Sequence, residues 1–138
     1  MKKLLAAFVL LGLLTLLVAA CGGGSTSTGN GNASTTGNGG GNATVHLGDV
    51  NFMQSSITIS KGSSITLVED SAALHIIANG SWMNGSPQPM QESGAPVMNN
   101  TQISGSGSSQ VIGPFNTPGT YHFYCTVHQN MNLTVVVQ

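Results

Sequence analysis

Short runs in which polar and apolar residues alternate dominate the sequence from Ala43 onward. Thr44-Val45-His46-Leu47, Ser56-Ile57-Thr58-Ile59 and Ser64-Ile65-Thr66-Leu67-Val68 each send every second side chain to one face. That is the period of a half-buried strand. Lys61-Gly62-Ser63 reads as a turn, and Gly113-Pro114 breaks the chain after Val111-Ile112. Leu74 to Ala78, Tyr121 to Cys125 and Leu133 to Val137 add further β-prone segments. No stretch here has a helical period. The pattern predicts an all-β fold, an antiparallel Greek-key β-sandwich over residues 43–138. Residues 79–110 resist this reading, being polar and rich in Gly, Ser and Pro. A structureless loop of that length is uncommon in a compact domain. The segment is expected to form a loop or flap insertion, packed by Trp82 and some of Met83, Met90 and Met98, with elements that cannot be placed.

The first forty residues have a different character. Lys2 and Lys3 precede an almost unbroken apolar run from Leu4 to Ala20, and Ala19-Ala20 leads directly to Cys21. This layout predicts a signal peptide over residues 1–20. Val18-Ala19-Ala20-Cys21 resembles the bacterial lipobox, in which the cysteine becomes the lipidated first residue. The alternative is an uncleaved anchor, since the run sits at the short end of what spans a bilayer. Residues 22–42 are almost all Gly, Ser, Thr and Asn, a flexible linker with a typical reach of roughly 25 Å. The expected location is the outer face of a bacterial cytoplasmic membrane, reached through a lipid on Cys21.

Charge is scarce. Beyond the leader Lys61 is the single basic residue, against Asp49, Glu69, Asp70 and Glu92. No basic patch exists to hold phosphates, which argues against nucleic acid as a partner. The chain has two cysteines. If Cys21 is lipidated, Cys125 stands alone in an exported protein, where a leftover thiol is reactive, intermolecular or a metal ligand. A Cys21–Cys125 disulfide would leave the lipobox unexplained.

The segment Gly119-Thr120-Tyr121-His122-Phe123-Tyr124-Cys125-Thr126-Val127-His128-Gln129-Asn130-Met131 places a thiol, an imidazole and a thioether together at the end of a predicted strand. Two histidines and a cysteine with a weak axial methionine form the ligand set of blue copper. A second histidine must come from elsewhere. His122 alternates with Cys125 and faces the other way, and His46 faces opposite to Val45 and Leu47, toward solvent. His75 lies within the apolar run Leu74-His75-Ile76-Ile77, where a histidine needs a buried partner. The expected metal ligands are therefore His75, Cys125, His128 and Met131, although zinc accepts similar donors.

These residues resemble the copper loop of the cupredoxins, plastocyanin and amicyanin above all. The Cys125-x2-His128-x2-Met131 spacing is similar to the short amicyanin loop, and Tyr121-His122-Phe123-Tyr124-Cys125 is closer to plastocyanin. The path from Ile57 to Leu67 and on to His75 resembles the family's approach to its first histidine. The resemblance covers about residues 43 to 138, apart from the 79–110 insertion. It implies one type 1 copper ion, with His75, Cys125 and His128 equatorial and Met131 axial. It also implies that Tyr124, facing outward, lines a second electron route, and that electrons pass at His128 across an apolar surface that includes Val127. Two departures stand out. Ile76 follows the first histidine where many relatives have Asn or Ser. Val127 replaces the proline of short-loop relatives, so its N–H is available to the Cys125 sulfur.

Taken together, the residues predict a membrane-tethered blue copper protein that carries single electrons between a redox donor and acceptor, acts as a monomer and is not an enzyme. A copper chaperone or storage protein using the same ligands is the alternative. An oxidase or reductase would need further histidines, and a binuclear copper loop would need a second cysteine. Met83, Met90 and Met98 show no tight repeat of the kind that binds Cu(I), and are expected to fill gaps in packing.

Overall fold

Alternation in the sequence becomes alternation in burial. In the computed structural model, which describes residues 42–138, nine strands follow one another in the order β1 (Ala43–Leu47), β2 (Ser56–Ile59), β3 (Ile65–Glu69), β4 (Leu74–Met83), β5 (Ser86–Pro89), β6 (Thr101–Ser104), β7 (Ser109–Ile112), β8 (Gly119–Cys125) and β9 (Asn132–Val137). Ile57 and Ile59 of β2, Ile65 and Leu67 of β3, and Leu133, Val135 and Val137 of β9 point inward, while their neighbours are more exposed. No helix occurs among the described residues. The proposed signal peptide, Cys21 and nearly all of the linker lie outside them.

Two sheets form the layers of a sandwich. One has the order β1-β3-β7; in the other, β2-β9-β8-β4 continues into β5, and β6 also pairs with β4. The sheets are mixed rather than wholly antiparallel. β1 runs parallel to β3, and β2 runs parallel to β9. The remaining pairings are antiparallel. Parallel neighbours cannot be joined by a tight hairpin, so the chain crosses between layers to make them.

The 79–110 segment is largely structured. β4 runs on to Met83 and turns back into β5, and β6 pairs with the first half of β4. Gly80 makes this possible. Its φ of 123° suits glycine, and a β-carbon there would run into the carbonyl oxygen of Gln88. The strand can therefore leave the main sheet while staying paired to β5. The fate of the methionines is divided. Met98 is buried in the core, whereas Met83 and Met90 are exposed.

Phe115 fills the centre of the sandwich. It is fully buried, meets Phe123 edge-on at 6.1 Å and lies 5.7 Å from Tyr121. The Tyr121 hydroxyl donates to the Thr117 carbonyl at 2.7 Å, fixing the link into β8. Phe115→Ala is expected to destabilise the protein by about 3–5 kcal/mol, because the cavity cannot close around missing ring atoms. The urea midpoint of the metal-free protein measures this.

Candidate metal centre

Strand register brings His75 and Cys125 to the same end of one sheet. β4 and β8 pair antiparallel with Ile77 opposite Cys125. Alternation along β4 then buries His75 and Ile77 and leaves Leu74 exposed. Cys125 closes β8 and is a free, fully buried thiol. Beyond it the chain folds back on itself. The Cys125 N–H donates to the Met131 carbonyl at 3.0 Å, and the Met131 N–H donates to the His128 carbonyl at 3.3 Å. Asn130 takes the left-handed conformation, φ 62°, which asparagine tolerates better than most residues. The Thr126 N–H donates to the Ile76 carbonyl at 2.8 Å. The backbone carbonyl of Ile76 thus braces the loop.

Three ligand atoms converge. Nδ1 of His128 lies 3.2 Å from Nδ1 of His75 and 3.5 Å from Sγ of Cys125. All three atoms lie within 4.8 Å of one another. Donors bound to one ion at about 2.0–2.3 Å stand roughly 3–4 Å apart, so His128 already stands at the right distance from both partners, and a single metal would draw His75 and Cys125 slightly closer. Its donor set, one buried thiol and two imidazoles, is that of a type 1 copper. Met131 is buried in the same closed loop. His46 and His122 lie elsewhere. His46 Nδ1 is 2.9 Å from both Asp70 oxygens, and His122 Nδ1 is 2.6 Å from Glu92 Oε1.

The far side of His75 holds a feature that sequence reasoning missed. Glu69 is fully buried. Its Oε1 accepts the backbone N–H and the hydroxyl of Ser71. Its Oε2 lies 3.1 Å from His75 Nε2, yet has no aligned donor, because that ring N–H points to the Gly48 carbonyl at 3.0 Å. One hydrogen faces two acceptors. Either orientation keeps the proton on Nε2 and leaves Nδ1 free for a metal. A signal was present: Glu69 shares the inward parity of Ile65 and Leu67.

Burial holds the His75 pKa below the ordinary histidine range. Glu69 opposes this shift, and the facing His128 adds to it. Below about pH 6.5 the unfolded chain takes up a proton there that the folded protein refuses, so stability falls as pH falls. The urea midpoint of the metal-free protein is expected to drop between about pH 7 and pH 5, and to drop less in His75→Leu. Equal slopes in the two proteins would contradict this.

Two expectations need correction. Tyr124 does not face outward to solvent. It is 3% exposed, covered edge-on by Trp82 of the β4–β5 hairpin and set at the wall of a cleft of about 400 Å³ shared with Met90 and Met98. The Val127 N–H makes no bond to Cys125 Sγ among the described residues; the neighbour of that sulfur is His128 Nδ1. The Val127 side chain is half exposed beside His128.

Comparison with known proteins agrees with this geometry. The fold is similar to that of amicyanin from Paracoccus versutus (Thiobacillus versutus), with TM-score 0.53 and 18% identity over 70% of this chain and 81% of that one. An oxidised amicyanin mutant gives TM-score 0.53 and 16% identity over 70% and 82%. A Cu-containing nitrite reductase from Thermus scotoductus SA-01 gives TM-score 0.51 and 18% identity over 70% of this chain, but only 22% of that one. No curated protein matches significantly in sequence. The profile described as copper binding proteins, plastocyanin/azurin family, matches residues 40–138. With that match spanning most of the chain, and a buried Cys–His–His cluster at the end of its sandwich, the protein belongs to the plastocyanin/azurin family of copper-binding proteins.

Proposed function

We propose that the chain is a membrane-tethered carrier of single electrons between a redox donor and acceptor. The observation that carries this reading is the preassembled cluster, three ligand atoms within 4.8 Å of one another on a strand pair and a loop closed by backbone bonds. Copper supplies the one-electron couple, with thiolate and imidazole accommodating both of its oxidation states. The chain holds the ligands in place, so little atomic motion accompanies a change of charge. Cys125 and His75 are shielded from water, while His128 is partly exposed and flanked by Val127. That edge suits electron exchange with a partner across an apolar contact. Met131 would supply a further, weaker thioether donor to the same ion. A carrier is favoured over an enzyme because the other two histidines are each engaged by a carboxylate, away from the cluster.

The test is titration of the protein with Cu(II), followed by optical and EPR spectra and voltammetry. An intense blue band and a reversible one-electron wave support the carrier. A colourless protein that binds only Cu(I) supports the chaperone or storage alternative. The tether is tested separately. Cys21→Ser is expected to shift the protein from the membrane fraction to the soluble exported fraction, and an unchanged distribution would favour an uncleaved anchor.

A further inference from the structure

The β4–β5 hairpin carries one aromatic side chain, Trp82, that bonds to the ligand loop. Its indole Nε1–H donates to the carbonyl oxygen of Cys125 at 2.8 Å. Its ring stands edge-on to Tyr124, centroids 6.2 Å apart. The backbone beneath it is clamped from the other side of the loop. The Trp82 N–H donates to Asn132 Oδ1 at 2.7 Å, and Asn132 Nδ2 donates back to the Trp82 carbonyl at 3.2 Å. Gln129 Nε2 donates to the Gly85 carbonyl at 3.1 Å. Trp82 is partly exposed, whereas Tyr124 is 3% exposed, at the wall of the cleft.

We propose that Trp82 is a second electron port, distinct from the His128 edge; this rests on the electron-carrier reading. Electronic coupling decays far more steeply across empty space than along covalent bonds, and a short hydrogen bond lies between the two. From Cys125 Sγ the path runs through Cβ, Cα and the carbonyl, crosses one hydrogen bond, and ends in the conjugated ring of a partly exposed residue. A path through Tyr124 alone ends on a buried ring. In the step, a reduced one-electron protein loses one electron and Cu(II) becomes Cu(I). No bond forms or breaks, and the indole keeps its proton. The partner is defined by the surface it meets. Residues 80–90 contain no charged side chain, and exposed Met83 adjoins Trp82. The port therefore fits an uncharged rim around a surface redox group, with a rate insensitive to salt.

The experiment uses the full chain carrying Cys21→Ser, copper-loaded, with a ruthenium polypyridyl photosensitiser on Pro87→Cys or, separately, on Val127→Cys. Pro87 lies opposite Trp82 in the hairpin register. Flash reduction then gives two intramolecular rates, one for each side. Trp82→Phe is expected to lower the ratio of the 87-label rate to the 127-label rate by about an order of magnitude. In the Cu(II) protein the indole N–H proton is expected to show a contact shift, and in the metal-free protein to exchange slowly. An unchanged ratio overturns the port, including the case in which both rates and the potential shift together, which marks a purely positioning role. If Trp82→Phe fails to fold, benzothienylalanine at position 82 replaces it. Trp82 is the only tryptophan, so the substitution is site-specific, and it keeps the ring while removing the donor. Absence of transfer from either label, with no blue Cu(II) form, would instead overturn the carrier reading and the port with it.

Discussion

Cys125→Ser is expected to abolish the thiolate-to-copper charge-transfer band and to weaken copper binding by orders of magnitude. The buried sulfur is the only soft anionic donor in the cluster. A serine hydroxyl in its place stays protonated, and neutral oxygen is a poor match for copper in its reduced state. The fold should be spared. The bond from residue 125 to the Met131 carbonyl is made by the backbone, which serine keeps. The metal-free variant should still fold, at a cost of about 1–3 kcal/mol, because a hydroxyl replaces a fully buried thiol. Competition against a Cu(I) chelator gives the affinity, and the optical spectrum gives the coordination. A persistent blue band would place the thiolate elsewhere in the chain.

Glu69→Gln should separate metal affinity from stability. The carboxylate sits behind His75 with one oxygen 3.1 Å from Nε2 and no aligned donor of its own. Its charge makes the imidazole a stronger donor, and loss of such a partner typically costs 10–100-fold in metal affinity. A glutamine side chain also has one oxygen to share between Ser71 and His75. Cu(II) suffers more than Cu(I) from losing a nearby negative charge, so the potential should rise. Each tenfold difference between the two oxidation states is worth about 59 mV for one electron. The metal-free protein should be no less stable, because an incompletely paired buried charge is removed. Voltammetry and urea unfolding read the two effects independently. A fall in both together would make Glu69 a packing residue only.

The parts of this protein that follow local rules were readable from the sequence. Alternation located the strands around Val45, Ile57, Ile65, Tyr121 and Val135, and the spacing of Cys125, His128 and Met131 marked the loop. His75 emerged because an imidazole among apolar residues requires a partner. What was not readable depends on distant pairing. The parallel contacts of β1 with β3 and of β2 with β9 leave no local signature. The β4–β5 hairpin was obscured by its Gly, Asn and Pro residues, because Gly80 bends a strand that composition alone would end. Tyr124 was placed on the correct face of β8, opposite Cys125, but a face is not solvent-exposed when Trp82 covers it. Glu69 went unnoticed because an acid at the end of a strand is usually exposed. Its parity with Ile65 and Leu67 carried the opposite message.

The place of β9 sets an order on the assembly of the site. Residues 132–137 fill the gap between β2 and β8, and among the described residues β2 has no other neighbour in its sheet. A nascent chain halted at residue 131 would already contain His75, Cys125, His128 and Met131. It would lack Asn132, which pins the hairpin over the loop, and it would lack the strand that holds β2. The ligands would then hang on an open polypeptide with no enclosure around them. Enclosure of the ligands thus waits on the docking of β9, and before it the thiol is an ordinary side chain.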